Sequence, residues 1–510
     1  MRARIVFMAG RSEKNTLVMM SATLVSRLLG ILKSRVISIF FGAGTVADAI
    51  NFAYNIPNNF RKLFAEGSLS SSYLPVFSES CNDDERTARL YRQLVSFLLV
   101  VFAVLFVFTL LCCEQIVLFL SDFDQDEAIH IAASLLPFFT IFLFFISLSI
   151  LVSSVLQTRR RFLASSIAPI FYTLSILVCV PLFGERIGHY AIALGVLAGS
   201  LAQFAVTWIA FRRLGIRFHF DFTFSSPDFK AVMARWLPRS ISSLVAIAAQ
   251  SATLYLASSL SEGSVSAFSY AIIFYQAPYG IFFSSISGVY FPLLSSAHDE
   301  KERAMVLSKA IGYLYTFLLP SAIVLFALSR ECVATLLQKG AFNLEDTLLT
   351  ASVLRWYLVA MVPMSMEAML QRYLYSRNMY YRSLAVSLVI SALDIGATIF
   401  LIAQGFGVES LPMASVISSC AGTAILFLFV ENFPWGGIVR SMARTTLACI
   451  PAFAMCLSYI AWNPQRYAAG STLSNLLYTM SAGLVFMACV VVMYLICHVD
   501  FISQLRRKRS

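Results

Sequence analysis

Charged residues are scarce in this sequence. Asp, Glu, Lys and Arg together make up 13% of the 510 residues, whereas soluble domains contain about 25%. Apolar residues make up 59%, and about 20 consecutive apolar residues suffice for a helix to cross a bilayer. The composition therefore excludes an ordinary soluble domain and predicts an all-α integral membrane protein, because helices satisfy their backbone hydrogen bonds internally in lipid.

Patterns typical of enzymes are lacking as well. The five histidines are scattered, and the ten cysteines lie mostly in apolar stretches without metal-binding spacing or a disulfide framework. No phosphate-binding loop, nucleotide-binding fold or soluble catalytic domain interrupts the apolar segments. We therefore expect no enzyme activity, no catalytic residues, no metal and no cofactor. Any work across the membrane must be driven by an ion gradient or the membrane potential rather than by ATP hydrolysis.

Fourteen apolar segments predict about 14 transmembrane helices. The second segment is the least apolar because it contains Asp48 and several asparagines, but including it preserves the alternation of charge between successive connections. The segments lie near residues 16–41, 46–64, 91–113, 129–156, 164–183, 188–211, 236–257, 264–292, 308–329, 348–375, 383–404, 408–431, 441–462 and 474–498.

Lys and Arg are distributed unequally between these connections. One alternate set, which includes both termini, holds 29 of them, and the other set holds four. By the positive-inside rule, both termini are expected to be cytoplasmic in a multi-pass protein of the bacterial cytoplasmic (inner) membrane. The net charge of +11 then reflects topology, and no nucleic-acid partner is expected.

An internal repeat predicts two lobes of six helices around a central cavity. Arg27 recurs as Arg239, Pro57 as Pro278, and Leu156-Gln157-Thr158-Arg159 as Leu374-Tyr375-Ser376-Arg377, at a nearly constant offset. Because six spans is an even number, both copies have the same orientation in the membrane. The predicted domains are an N-lobe (1–213), a C-lobe (214–432) and a C-terminal part with two helices and a basic tail (433–510).

Cations deep in the first segments indicate an anion-binding site. Arg27 lies about 11 residues into its span, roughly 16 Å along the axis, where a charge is costly unless it faces water or a partner. Lys33 and Arg35 follow on one broad side of the same helix, and Asp48 is an acid that could pair with Arg27 or Arg61. Because deep cations outnumber deep acids here, the expected guest is an anion such as a diphosphate.

The sequence resembles the MurJ/MviN family, the lipid II flippases of the multidrug/oligosaccharidyl-lipid/polysaccharide exporter superfamily. The resemblance is densest in the first 75 residues and continues along the chain. It is carried by Ser26-Arg27-Leu28-Leu29-Gly30, Phe41-Gly42-Ala43-Gly44, Asp48-Ala49, Pro57-Asn58, Arg61, Phe64-Ala65-Glu66-Gly67, Ser70 and Pro75, and further on by Ala168-Pro169, Gly263-Ser264, Pro278, Pro292, Pro320 and Tyr375-Ser376.

The resemblance implies a two-lobed protein of 14 helices. Its cationic cavity meets the diphosphate of an undecaprenyl-linked saccharide (lipid II), and a groove near spans 13 and 14 takes the lipid tail. Arg27, Lys33 (an arginine in the family) and Arg61 fall on functional cationic positions, and Asp48 falls on the functional acid. Arg35 and Glu66 are expected to support them by charge pairing. Membrane lipids and a coupling ion or the membrane potential are the other expected partners.

One departure from the family concerns the second lobe. The family's essential arginine of the eighth span falls on Ile273, so Arg239 is the candidate to supply the missing cation. Three hypotheses stay open: a lipid II flippase, a non-transporting envelope scaffold, and a multidrug or small-solute antiporter of the same fold. An exporter of cations should line its cavity with acids, which is the opposite of the first lobe.

Overall fold

A computed structural model describes residues 25–26, 28–65, 68–80, 83–159, 161–215, 219–462, 472–497 and 499. Within these ranges, all regular secondary structure is helical. Residues 28–41 form α1. The other helices are α2 (Thr45–Phe64), α3 (Ser68–Glu79), α4 (Asp84–Leu120), α5 (Asp126–Thr158), α6 (Phe162–Ile187), α7 (Tyr190–Arg212), α8 (Pro227–Ser258), α9 (Ser264–Ser296), α10 (Glu300–Ala327), α11 (Ser329–Leu337), α12 (Leu344–Ser376), α13 (Tyr380–Ala403), α14 (Ser410–Phe427), α15 (Trp435–Trp462) and α16 (Thr472–Ile496).

Twelve helices of the described ranges are long and apolar enough to cross a membrane. They correspond to the third through fourteenth predicted spans, so the predicted all-α membrane fold is confirmed. The first predicted span begins in residues outside the described ranges. The second is the 20-residue helix α2, which is absent from the twelve because its composition is too polar.

The chain divides into two compact units, Met1–Val265 and Ser266–Ser510. In the first unit, α5 packs against α2, α4 and α7, and α6 packs against α7. In the second unit, α12 packs against α10 and α14, and α15 packs against α10 and α16. The lobe boundaries at 213/214 and 432/433, which rest on the sequence repeat, stay a prediction.

Several helices begin with a side-chain cap, in regions that the sequence predicts to be connections between membrane spans. Asp83 accepts a hydrogen bond from the Arg86 amide at the start of α4, and Asp299 accepts one from the Glu302 amide at the start of α10. Asn343 forms a capping box with Asp346 at the start of α12. These caps satisfy amides that have no partner within the helix.

Aromatic packing between α2, α5 and α6 forms the part of the first unit that carries the candidate site. Tyr54 of α2 packs against Phe139 and Phe142 of α5, with ring centroids 5.6 and 5.8 Å apart. Phe142 also packs against Tyr172 of α6 at 5.4 Å. Both phenylalanines are fully buried, so α5 provides a rigid support for the two tyrosines.

Candidate functional site

Lys33, the second cation of α1, lies against two tyrosine rings. Its Nζ atom is 5.6 Å from the ring centroid of Tyr54 and 6.0 Å from that of Tyr172. Both distances are within the range in which an aromatic face attracts a cation. The lysine side chain is half-buried, so its charge is only partly solvated. The two aromatic faces replace part of the missing solvation.

The two tyrosines are joined through their hydroxyl groups. The hydroxyl oxygens of Tyr54 and Tyr172 lie 3.1 Å apart and share a hydrogen bond. Tyr172 is buried, with 8% of its surface exposed. This bond fixes the orientation of both rings relative to each other and therefore relative to the Lys33 ammonium group.

Arg61 adds a second positive charge at the end of α2. It lies in the last turn of that helix, where a cation interacts favourably with the helix dipole, and it interacts electrostatically with Tyr172. We call Lys33, Tyr54, Tyr172 and Arg61 the cation–tyrosine cluster. The structure thus places two of the predicted cations, Lys33 and Arg61, around one buried tyrosine.

Sequence reasoning missed both tyrosines of this cluster. Tyr54 and Arg61 are seven residues apart on α2, which places them on nearly the same helix face, and this spacing was an available signal. Tyr172 stands in the apolar segment of α6 and carries no such signal.

Three other predicted site residues are Arg27, Glu66 and Arg35. Arg27 and Glu66 lie outside the described residues. Arg35 lies on α1, half-buried and engaged in interactions of its own. The expected roles of these residues stay predictions.

Asp48 lies at the other end of α2 from Arg61. Its carboxylate is buried, with the residue 4% exposed, and Oδ2 accepts a hydrogen bond of 2.8 Å from the Gly263 amide in the α8–α9 connection. This contact satisfies a buried acid with a backbone donor.

Glu262 forms a second link at this end of α2. Its Oε1 atom accepts hydrogen bonds from the amide and the hydroxyl of Thr45, at 2.8 and 2.7 Å. These two donors hold the pKa of Glu262 below its usual value because they stabilise the ionised carboxylate. We call Thr45, Asp48, Glu262 and Gly263 the α2 latch. The sequence did not predict the part played by Thr45 and Glu262.

Arg239 lies on α8, and the contacts group this helix with the first unit. Its side chain is exposed and donates to the backbone oxygen of Ser71 at 3.0 Å, near the start of α3. About three turns further along the same helix, Gln250 accepts a hydrogen bond of 3.0 Å from the Lys62 ammonium group. These two hydrogen bonds connect α8 to α3 and to α2.

In the second unit, two acids of the apolar helices, Glu367 and Asp394, lie on α12 and α13, which contact each other. Asp394 of α13 accepts a 2.8 Å hydrogen bond from Ser418 of α14, and Glu367 of α12 accepts a 3.0 Å bond from Gln371. The two carboxylates interact electrostatically with each other. Ile273 is half-buried on α9, so this position provides no charge.

The second unit also contains an apolar cavity of about 470 Å³. Its walls come from α10, α12 and α15. The lining residues are Tyr315, Leu319, Ala322, Ile323, Phe326, Leu358, Val359, Val362, Thr446, Cys449, Ile450 and Phe453. Such a surface suits a hydrocarbon chain, which needs no hydrogen-bond partners.

A bundle of membrane-spanning helices with cations held inside one unit and an apolar cavity in the other defines a polytopic α-helical membrane transporter. A family profile described as "Lipid II flippase MurJ" matches residues 37–481 of the chain. The chain therefore belongs to the MurJ lipid II flippase family.

Individual relatives agree with this assignment. The chain is 28% identical over 486 residues to a probable lipid II flippase MurJ of Borreliella burgdorferi, covering 94% of this chain and 96% of that protein. It is 31% identical over 352 residues to one of Rhizobium meliloti, covering 66% and 65%.

Solved structures share the fold. A lipid II flippase MurJ in an inward closed conformation matches with a TM-score of 0.77 and 21% identity, covering 94% of this chain and 99% of that chain. An inward-facing multidrug MATE transporter of the MOP superfamily matches with a TM-score of 0.68 and 14% identity, covering 84% and 98%.

Proposed function

We propose that this protein is a flippase that translocates lipid II, the lipid-linked peptidoglycan precursor, from the inner to the outer leaflet of the cytoplasmic membrane for cell-wall synthesis. The observation that carries this proposal is the match of the family profile over residues 37–481. Nearly full-length relatives support it, since the match to the Borreliella burgdorferi protein covers 94% of this chain.

The diphosphate of lipid II fits the chemistry of the cation–tyrosine cluster. The Arg61 guanidinium can bind phosphate oxygens in a bidentate manner, while the Lys33 ammonium acts as a point charge. Apolar helices around these groups lower the local dielectric constant and strengthen each interaction with the anion. Arg27, Arg239, Asp48, Arg35 and Glu66 stay the other proposed members of the site or its support.

The polyprenyl tail fits the apolar cavity of the second unit. Its walls include α15, which corresponds to the thirteenth predicted span. Burial of hydrocarbon there removes apolar surface from contact with polar headgroups. We therefore propose this cavity as a site for the lipid tail.

Transport requires alternating access of the site to the two sides of the membrane. We propose that mutual repulsion among Arg27, Lys33 and Arg61 favours one state, and that the bound diphosphate neutralises this repulsion and favours the other. An ion gradient or the membrane potential supplies the energy. Both termini face the cytoplasm in this proposal, as the distribution of Lys and Arg predicts.

Replacement of a bacterium's own lipid II flippase by this gene tests the proposal. We expect growth, and lipid II that an impermeant reagent can reach from outside the cell. Lys33→Gln should lower both, whereas Lys301→Gln, at an exposed lysine of α10, should leave both unchanged. Failure of the wild-type chain to support growth despite normal membrane levels would refute the flippase function.

A non-transporting scaffold is the second candidate. Ile273 favours it, because this position lacks the cation that the family resemblance leads us to expect in the eighth span. The same experiment separates the two functions. A scaffold would leave lipid II inaccessible from outside the cell even when the protein is present in the membrane at a normal level.

A further inference from the structure

We propose that Tyr172, together with Tyr54, is a positioning residue that holds the Lys33 ammonium group in place for the diphosphate. This inference rests on the proposed function, since it concerns how one binding cation is oriented. The inference adds a role for α6, a helix that carries none of the predicted site residues.

The geometry of the cluster carries the inference. The Lys33 Nζ atom lies 5.6 and 6.0 Å from the centroids of two tyrosine rings, and those rings are linked by a 3.1 Å hydrogen bond between their hydroxyl groups. The ammonium group therefore faces a pair of aromatic surfaces whose relative orientation is fixed. A single unlinked ring would constrain the ammonium group less.

A lysine needs such support more than an arginine does. Its ammonium group is carried on a flexible four-carbon stem and has no planar fork to orient it. Immobilising such a side chain costs conformational entropy, and two aromatic faces offset part of that cost before the anion arrives. The diphosphate then meets a cation that is already oriented.

The surroundings of Tyr172 keep it in place. Gly199 of α7 packs directly against the tyrosine: a Cβ atom at this glycine would lie 2.7 Å from the Tyr172 backbone oxygen and 3.0 Å from its Cδ2 atom. The centroid of the Phe142 ring lies 5.4 Å from that of the Tyr172 ring. The ring is thus fixed by α5 and α7, while its face and hydroxyl group are directed at polar partners.

Binding of undecaprenyl diphosphate by the purified full-length chain in lipid nanodiscs tests the inference. Tyr172→Leu should weaken binding roughly three- to thirtyfold, the range expected for loss of a cation–aromatic contact. Tyr172→Phe keeps the ring but breaks the hydroxyl link to Tyr54, so it should lose less affinity than Tyr172→Leu. Tyr91→Leu is the matched control, because this tyrosine is also buried in the first unit but packs against Phe211 and not against the cation–tyrosine cluster, and it should bind like the wild type.

A double-mutant cycle with Lys33 separates positioning from general packing. In a Lys33→Gln background, Tyr172→Leu should have no further effect on binding, because the cation that it positions is gone. An equal loss in both backgrounds, or an equal loss with Tyr91→Leu, would overturn the inference. If Tyr172→Leu does not accumulate in the membrane, Tyr54→Leu takes its place in the same cycle.

The cycle also distinguishes failure of the inference from failure of the proposed site. Weaker binding with Lys33→Gln but unchanged binding with Tyr172→Leu would refute only the positioning role. Unchanged binding with Lys33→Gln would refute the role of Lys33 in diphosphate binding, and the positioning role with it.

Discussion

A single ionised side chain has a large energetic effect inside a helix bundle of low dielectric constant, because each buried charge must be stabilised locally. In the first unit, the Lys33 ammonium faces two aromatic rings, and the Asp48 carboxylate accepts a backbone amide hydrogen bond. Each contact requires the charged group and its partner to hold their relative positions. Removal of a charged group should therefore change binding or local stability at these positions more than removal of an exposed charge does.

Arg27→Ala should abolish complementation of a missing lipid II flippase. Arg27 lies deep in the first predicted span, where the bilayer disfavours a charge that has no functional partner. Its loss should not lower the amount of protein in the membrane, since truncation removes that unfavourable term. Growth and an immunoblot of the membrane fraction measure the two effects. Normal growth of cells with Arg27→Ala would contradict a role in diphosphate binding.

Glu262→Gln should destabilise the α2 latch in a pH-dependent manner. The pKa of Glu262 is lowered in the folded protein by the two Thr45 donors, so the ionised carboxylate contributes stability above the ordinary glutamate pKa, and this contribution is lost as the pH falls through the lowered pKa. The variant should unfold at a lower temperature than the wild type at neutral pH but not at strongly acid pH.

Thermal unfolding in detergent at the two pH values measures this difference. Glu114→Gln, at an exposed glutamate away from the first turn of α4, is the control and should have little effect at either pH. An equal difference between Glu262→Gln and wild type at both pH values would show that the ionised form contributes no stability.

At the scale of elements, long apolar helices were predictable and short ones were not. A window of about 19 apolar residues detects spans, and α4 through α10 and α12 through α16 match the predicted positions. The 12-residue α3 and the 9-residue α11 lie in connections and have no such signal. Helices such as α4 also extend beyond the predicted apolar segment, because a polar capped turn at Asp83 begins the helix earlier.

Gly199→Ala should disturb the contact between α6 and α7. The added Cβ atom would lie 2.7 Å from the Tyr172 backbone oxygen and 3.0 Å from its Cα atom, and backbone cannot move aside as a flexible side chain can. Overpacking of this kind costs about 1–3 kcal/mol, and it should also displace the Tyr172 ring and weaken undecaprenyl diphosphate binding.

The matched change is Gly396→Ala in α13, where no atom lies within 4 Å of the added Cβ. It should be neutral or slightly stabilising, since alanine is the better helix former. Thermal unfolding and the binding measurement apply to both variants. Wild-type stability and binding in Gly199→Ala would mean that α6 and α7 can separate at no cost.

For the whole molecule, the sequence predicted the class and the candidate cations but not how they are held. Depth in an apolar segment singles out Arg27, and the family resemblance adds Lys33 and Arg61. The link between them runs through Tyr172 on α6, more than 100 positions away along the chain, and depends on helix packing. The α2 latch was unpredictable for the same reason: the contact between Glu262 and Thr45 depends on the packing of α8 against α2.

Orientation in the membrane determines the direction of transport, and single cysteines can test it. In a background without the ten native cysteines, Asp124→Cys in the exposed α4–α5 connection should react with an impermeant maleimide added to spheroplasts. His298→Cys, exposed in the α9–α10 connection, should react only after permeabilisation, because its connection belongs to the set rich in Lys and Arg. Permeabilised membranes, in which both sites should react, are the control. The reverse pattern would place both termini outside the cytoplasm and would reverse the direction of lipid transport proposed for the chain.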